Sequence, residues 1–280
     1  MNFKGFRTAL ALTACLALTP AAAEEVYNVA LDGTFAPHAM PKLDGGVEGF
    51  NVDLAEALGK EMGATLNVTA AQWSGLLPGM QAGTYDFLVA PTTVTEERTK
   101  SILFSEGYLN TDFQFVVKAE AEDIDSLDGF KGKTIAVNKG SAYDKWARDL
   151  TDEVGWVVES YGTNSDAVQA VLSGRAFANV AGNTVSAWAV KKTPALKLSY
   201  LHSTGKVFAI PFPKDKPELR AKVEGALECL KSKGVLAELS EKWFGVTPAE
   251  GSAAVTVYPG YGVPDLEGYV SEPHELSCSS

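Results

Sequence analysis

The chain has 280 residues, 46% hydrophobic and 21% charged, the balance of a soluble globular protein with a real core rather than of a disordered, collagen-like or coiled-coil chain. Thirty-five acids against 24 Lys and Arg leave a net charge of −11, which argues against a surface that tracks nucleic-acid phosphates or a basic face for anionic lipid. The length fits either one large domain or two lobes of about 100 to 150 residues each.

In chain order, Lys4 and Arg7 precede an apolar run at 8–18, and Pro20-Ala21-Ala22-Ala23 supplies the small residues of a cleavage site. Residues 1–23 therefore read as a signal peptide. The run is shorter than the roughly 20 apolar residues that span a bilayer. An alternative takes Leu12 to Cys15 as a lipobox with Cys15 acylated, but the apolar stretch is short ahead of Cys15 and continues past it, which favours soluble export. Cleavage leaves 22 bases against 35 acids and two cysteines, Cys229 and Cys278, in an oxidising compartment. They read either as a disulfide or as two independent thiols, and the spacing of a zinc site is missing.

Short strands are expected at 26–31, 65–69, 87–90, 113–118, 134–138, 156–160, 178–181 and 207–211. Helical periodicity lies between them. Val52, Ala55, Leu58 and Met62 mark the first helix, with Asn51 as its expected N-cap and Asp53 in its first turn. Further helices follow Ser74, Ser141, Ser165, Pro217 and Gly234. This alternation implies an α/β fold of parallel sheets flanked by helices, with ligands at the carboxyl ends of the strands. Residues 246–280 lose the pattern, apart from a brief alternation at Val255, Val257 and Tyr258, and read as a tail wrapped on the surface that a Cys229–Cys278 link would anchor.

Catalytic signatures are missing: His38, His202 and His274 lack HExxH spacing, and there is no GxSxG, P-loop or GxGxxG. Gly45, Gly46 and Gly49 follow a turn-like 41–44 and read as a hairpin loop. Dispersed catalytic residues leave no motif, so this alone does not exclude an enzyme. Ligand-grade residues do occupy loops after strands. Arg98, with Thr95 as a cap for a short helix, suits a carboxylate, or else pairs on the surface with Glu96 or Glu97. Gly140 and Ser141 open a helix and offer amides and a hydroxyl to an anion, or else are a Gly turn with a Ser N-cap. Phe35 and Trp73 read as core residues or as a clamp on a ligand side chain.

The blocks VALDGTFAP (29–37), GFNVDLAEALGKEMG (49–63), QWSGLLPGMQAGTYD (72–86), TVTEERTKSILFSEGY (93–108), LDGFKGKTIAVNKGSAYD (127–144) and GVLAELSEKWFG (234–245) occur in one order. Together they resemble the solute-binding proteins of ABC transporters for polar amino acids, bacterial extracellular family 3. The resemblance implies a two-lobed periplasmic binding protein (type II) fold with two crossing hinge strands, near 111–115 and 206–209. Lobe 1 would comprise 24–112 and 206–245, lobe 2 113–205, and the tail 246–280. It also implies a periplasmic monomer that binds a small carboxylate-bearing amino acid or derivative and hands it to a membrane permease, with no cofactor and no catalytic residue.

Carried over residue by residue, Arg98 and Thr93 would hold the ligand carboxylate, with Gly140 and Ser141 presenting amides to it. Phe35 and Trp73 would flank the ligand side chain, and Asp32 would lie near its distal group. Two positions depart from the pattern. Gly182, beside Asn183, stands where the family commonly has the Asp that pairs with the ligand ammonium, and Pro91 replaces a small residue and brings no N–H. The implied ligand is then an N-modified or non-standard amino acid, or another small carboxylate. An enzyme on the same scaffold, akin to dehydratases of prephenate-like acids, would need an acid or base among Asp32, Glu48 and His38. A receptor's sensing module is disfavoured, because no kinase domain or second hydrophobic segment follows.

Overall fold

The computed structural model describes residues 25–279, so the leader read at 1–23, with Cys15, lies outside the described residues. A first layer is laid down by β1 (Glu25–Leu31), the hairpin of β2 (Met40–Pro41) and β3 (Val47–Glu48), α1 (Phe50–Met62), β4 (Ala64–Ala70), α2 (Trp73–Gln81) and β5 (Phe87–Leu88). β1 pairs in parallel with β4 on one side and β5 on the other, which buries Val29, Ala30 and Leu31 at its carboxyl end. α1 turns Phe50, Leu54, Ala55 and Leu58 inward at three- and four-residue steps. Gly45 and Gly46 take positive φ at the β2–β3 turn, so the glycine cluster is a hairpin loop as expected.

The N-cap expectation needs correction. α1 is capped by Gly49 at φ 146°, where a Cβ would sit 2.4 Å from the His38 carbonyl oxygen, so only glycine lets the chain enter the helix there. The helix thus starts ahead of Asn51, whose fully buried side chain binds other buried groups instead. Asp53 does lie in the first turn, held by Lys242 and the Trp243 indole N–H.

After β6 (Thr92–Thr93), α3 (Glu96–Thr99) and β7 (Ile102–Phe104), the chain leaves this core along β8 (Leu109–Lys118). Leu109 still belongs to the first core, whereas Phe113, Phe115 and Val117 line one face of a second core and Val116 the other, the period-two alternation of a strand buried on both sides. That second core is filled by β9 (Thr134–Asn138), α4 (Ala142–Asp149), α5 (Thr151–Val154), β10 (Val157–Tyr161), α6 (Asn164–Leu172), β11 (Ala178–Gly182) and α7 (Asn183–Lys192). The chain returns along β12 (Leu196–Ala209), antiparallel to β8, and ends paired with β6 through Phe208 and Ala209. The resulting sheet has the order β10-β9-β11-β8-β12-β6. β8 and β12 are the two strands that cross between the lobes.

β13 (Pro211–Pro213) then pairs with β7, and α8 (Pro217–Ser232) and α9 (Val235–Phe244) pack on α1. Beyond them the chain is irregular apart from a bridge between Tyr261 and Val270. It is tied down by buried charge. Lys231 donates to Glu106, to the Gly107 carbonyl and to the Thr256 carbonyl, while Glu106 and Glu224 accept from the amides of Tyr258 and Gly262. Burial pushes the Glu224 carboxyl up to about 8. A Cys229–Cys278 disulfide closes the end of the tail onto α8. Peptide mapping without reductant should therefore recover one linked pair. Replacing both cysteines by serine should lower stability in denaturant titrations by about 2 to 4 kcal/mol, because the bond closes a long loop.

Candidate functional site

Between the two cores lies a narrow cavity, walled on one side by Asp32, Phe35, Trp73, Pro91, Thr93 and Arg98 and on the other by Asn138, Ser141, Ala142 and Tyr143. Its residues follow strand ends: Asp32 and Phe35 after β1, Trp73 at the start of α2 after β4, Pro91 and Thr93 after β5, and Asn138 to Tyr143 from the end of β9 into α4.

Arg98 is the charged centre. Thr95 caps α3 by accepting from the Arg98 amide, and the guanidinium folds back so that Nη1 donates to the Thr93 carbonyl at 2.8 Å and Nη2 reaches the Gly140 carbonyl of the other lobe at 3.4 Å. Its Cζ lies 5.4 Å from the Trp73 ring centroid. Among the described ion pairs none includes Arg98, so the surface pairing with Glu96 or Glu97 is not formed. Burial lowers its pKa to about 10, which leaves it charged at neutral pH.

Facing it are acceptors. Asp32 Oδ1 accepts from the Thr34 amide and hydroxyl, whereas Asp32 Oδ2 and Asn138 Oδ1 are buried with no hydrogen-bond partner. Phe35 and Trp73 are 7% and 8% exposed. They pack into the core and also line the cavity, Phe35 reaching across to the second core.

The remaining predicted residues fall differently. Ser141 caps α4 by accepting from the Asp144 amide, and the Gly140 and Ser141 amides expected to face an anion are taken by Asp144 Oδ2 and the Asn138 carbonyl. Gly140 instead offers its carbonyl to Arg98. Gly182 and Asn183 do not line the cavity. Gly182 ends β11 against the Tyr143 hydroxyl, and Asn183 opens α7 beside an outer groove between α7 and α9. Asn138, Ala142 and Tyr143 were not predicted, although they flank the predicted Gly140 and Ser141 at a strand-to-helix junction.

The lobes also touch outside the cavity. His38 is fully buried among Phe35, Phe50, Phe208 and Phe244. Asn51 Nδ2 donates to the Val89 carbonyl and the Tyr108 oxygen, so Asn51 Oδ1 is the acceptor and His38 Nδ1–H the donor. His38 Nε2 then accepts from the Thr184 hydroxyl across the cleft, at 2.8 Å. The Ser165 hydroxyl donates to the Thr34 carbonyl, and Lys145 faces Glu97 at 3.5 Å. The cleft is thus closed.

Burial holds His38 neutral by pulling its pKa down to about 4. The unfolded chain takes up this proton below about pH 6.5, so the stability due to neutral His38 is complete above pH 6.5 and lost as pH falls towards 4, up to about 3 kcal/mol. Thermal melts of wild type from pH 7.5 to 4 should show this fall, and His38→Gln should flatten the slope by about one proton.

The family model for bacterial extracellular solute-binding proteins, family 3, matches residues 27–246, from within β1 to just past α9. The chain is 34% identical over 224 residues to the probable amino-acid-binding protein YxeM of Bacillus subtilis (strain 168), covering 79% of this chain and 84% of that protein. It superposes with TM-score 0.75 and 32% identity on an ancestral arginine-binding protein bound to arginine, covering 79% of this chain and 99% of the other. It also resembles the ancestral amino acid-binding protein AncCDT-1, a precursor of cyclohexadienyl dehydratase, with TM-score 0.73 and 30% identity over 78% of this chain and 95% of that one. A match that runs through both lobes and both crossing strands makes this chain a member of the bacterial extracellular solute-binding proteins, family 3.

Proposed function

We propose that this protein captures a small carboxylate-bearing amino acid or amino-acid derivative between its lobes and delivers it to the permease of an ABC importer. The observation that carries this reading is the Arg98 guanidinium, which lines a cavity between the two lobes and has no ion pair among the described residues. A ligand carboxylate supplies the missing charge, Phe35 and Trp73 hold the apolar part, and Asp32 receives a donor at the far end. The relatives named as amino-acid-binding proteins support the same class.

In this reading the lobes are 24–112 with 206–245 and 113–205, and the protein works as a periplasmic monomer freed from its leader rather than anchored at Cys15. Capture needs no covalent step, metal or cofactor. The enzyme alternative lacks support in the cavity: His38 uses both ring nitrogens, Glu48 is not part of the wall, and Asp32 is the one carboxylate among the lining residues.

Arg98→Ala should leave the ligand-free protein folded and its melting temperature nearly unchanged. Calorimetry against the common amino acids and their N-substituted relatives should show every wild-type hit weakened at least tenfold, as expected for losing about 1.5 to 3 kcal/mol of hydrogen bonds between charged groups. Unchanged affinity would remove Arg98 from the site.

A further inference from the structure

Position 182, where the family pattern places a carboxylate for the ligand ammonium, is glycine, and its backbone does not require one: φ is −62° and ψ 144°, which any residue adopts. Space requires it. A Cβ there would lie 2.9 Å from the Tyr143 hydroxyl oxygen, 3.2 Å from Phe208 and 3.3 Å from Thr111 Oγ1. Tyr143 comes from the first turn of α4 and is 3% exposed. Its ring packs edge-on to Phe113, and its hydroxyl sits among Thr93, Thr111 and the Gly182 amide. Burial pushes that phenol up to about 12, so the group is uncharged throughout the physiological range. An uncharged hydroxyl thus stands where a side chain from 182 would project. Unpartnered buried oxygens near position 182, Thr111 Oγ1 and Asn183 Oδ1, are uncharged, and the one unpartnered carboxylate oxygen of the cavity wall is Asp32 Oδ2, with Asn138 Oδ1 also unpartnered on that wall, each on a residue 2% exposed. Buried acceptors of this kind cost free energy until N–H groups reach them.

We propose that Tyr143, admitted by Gly182, sets the ligand class: a carboxylate whose positive, N–H-bearing group lies away from the α-carbon and is received by Asp32 and Asn138, rather than a primary α-ammonium. The carboxylate end rests on the Arg98 reading above. An α-ammonium beside Tyr143 would be buried without a carboxylate of the protein to balance it, whereas the same charge beside Asp32 meets one.

Matched pairs that differ only in the α-amino group test this by calorimetry: L-lysine against 6-aminohexanoate, and L-arginine against 5-guanidinopentanoate. Wild type should bind at least one of the desamino acids, and at least tenfold more tightly than its parent. Tyr143→Phe combined with Gly182→Asp removes the oxygen that blocks position 182 and adds a carboxylate, and should shift the preference at least tenfold towards the parents; Tyr143→Phe alone should not. If the double variant fails to fold, the wild-type ranking still decides. Parents binding as tightly as, or more tightly than, their desamino partners would overturn the proposal, as would the failure of both desamino acids to bind. Parents that bind at least as tightly as their desamino partners, and depend on Arg98, would sink this proposal while leaving the Arg98 reading intact. If neither these acids nor any amino acid or N-substituted amino acid bound, both would fall.

Discussion

The structure turns on a half-buried guanidinium that has no carboxylate paired with it among the described residues. Arg98 keeps its charge at neutral pH, and what it has in place of a carboxylate is one carbonyl from each lobe, Thr93 and Gly140, and the face of Trp73. Carbonyl dipoles and an aromatic face compensate a half-buried charge less well than a carboxylate does. A carboxylate entering the cavity would supply what is missing, and because Gly140 belongs to the second lobe, the same event would favour the closed arrangement.

The fold makes that coupling feasible. Among the described residues only β8 and β12 carry the chain between the cores, and β12 shifts register against β8 between Leu198 and Leu201 and again between His202 and Lys206. Polar bonds across the cleft join His38 to Thr184, Ser165 to Thr34 and Arg98 to Gly140, the Tyr143 hydroxyl meets Thr93, and Phe35 packs into the second core. By contrast the first lobe is braced from behind: α8, the buried Glu106–Lys231 pair and the tail closed by Cys229–Cys278 pack on the side away from the cavity.

Much of this was legible in the sequence because it depends on local patterns. Alternating apolar runs located the strands and three- and four-residue spacing the helices; the rule that ligands gather at strand ends pointed to Arg98, and the family resemblance added Asp32, Phe35 and Trp73, all of which line one cavity. What was not legible depends on contacts between distant segments. Asn51 looked like a cap because its role as a bridge between His38, Val89 and Tyr108 requires residues up to 57 positions away. The amides of Gly140 and Ser141 looked free because their acceptors are set by the turn itself. Nothing in the sequence around Tyr143 marks it, and its meaning appears only when β11 brings Gly182 against its hydroxyl. The disulfide sat between the two kinds: an even cysteine count suggested it, and only the docking of the tail on α8 brings the two sulfurs together.

The most direct test of the account is native mass spectrometry of gently isolated protein, with its retained small molecule identified by exact mass. The account predicts one carboxylate-bearing molecule per chain, lost from Arg98→Ala protein prepared in the same way. A retained molecule without a carboxylate, or one held equally by the variant, would contradict it.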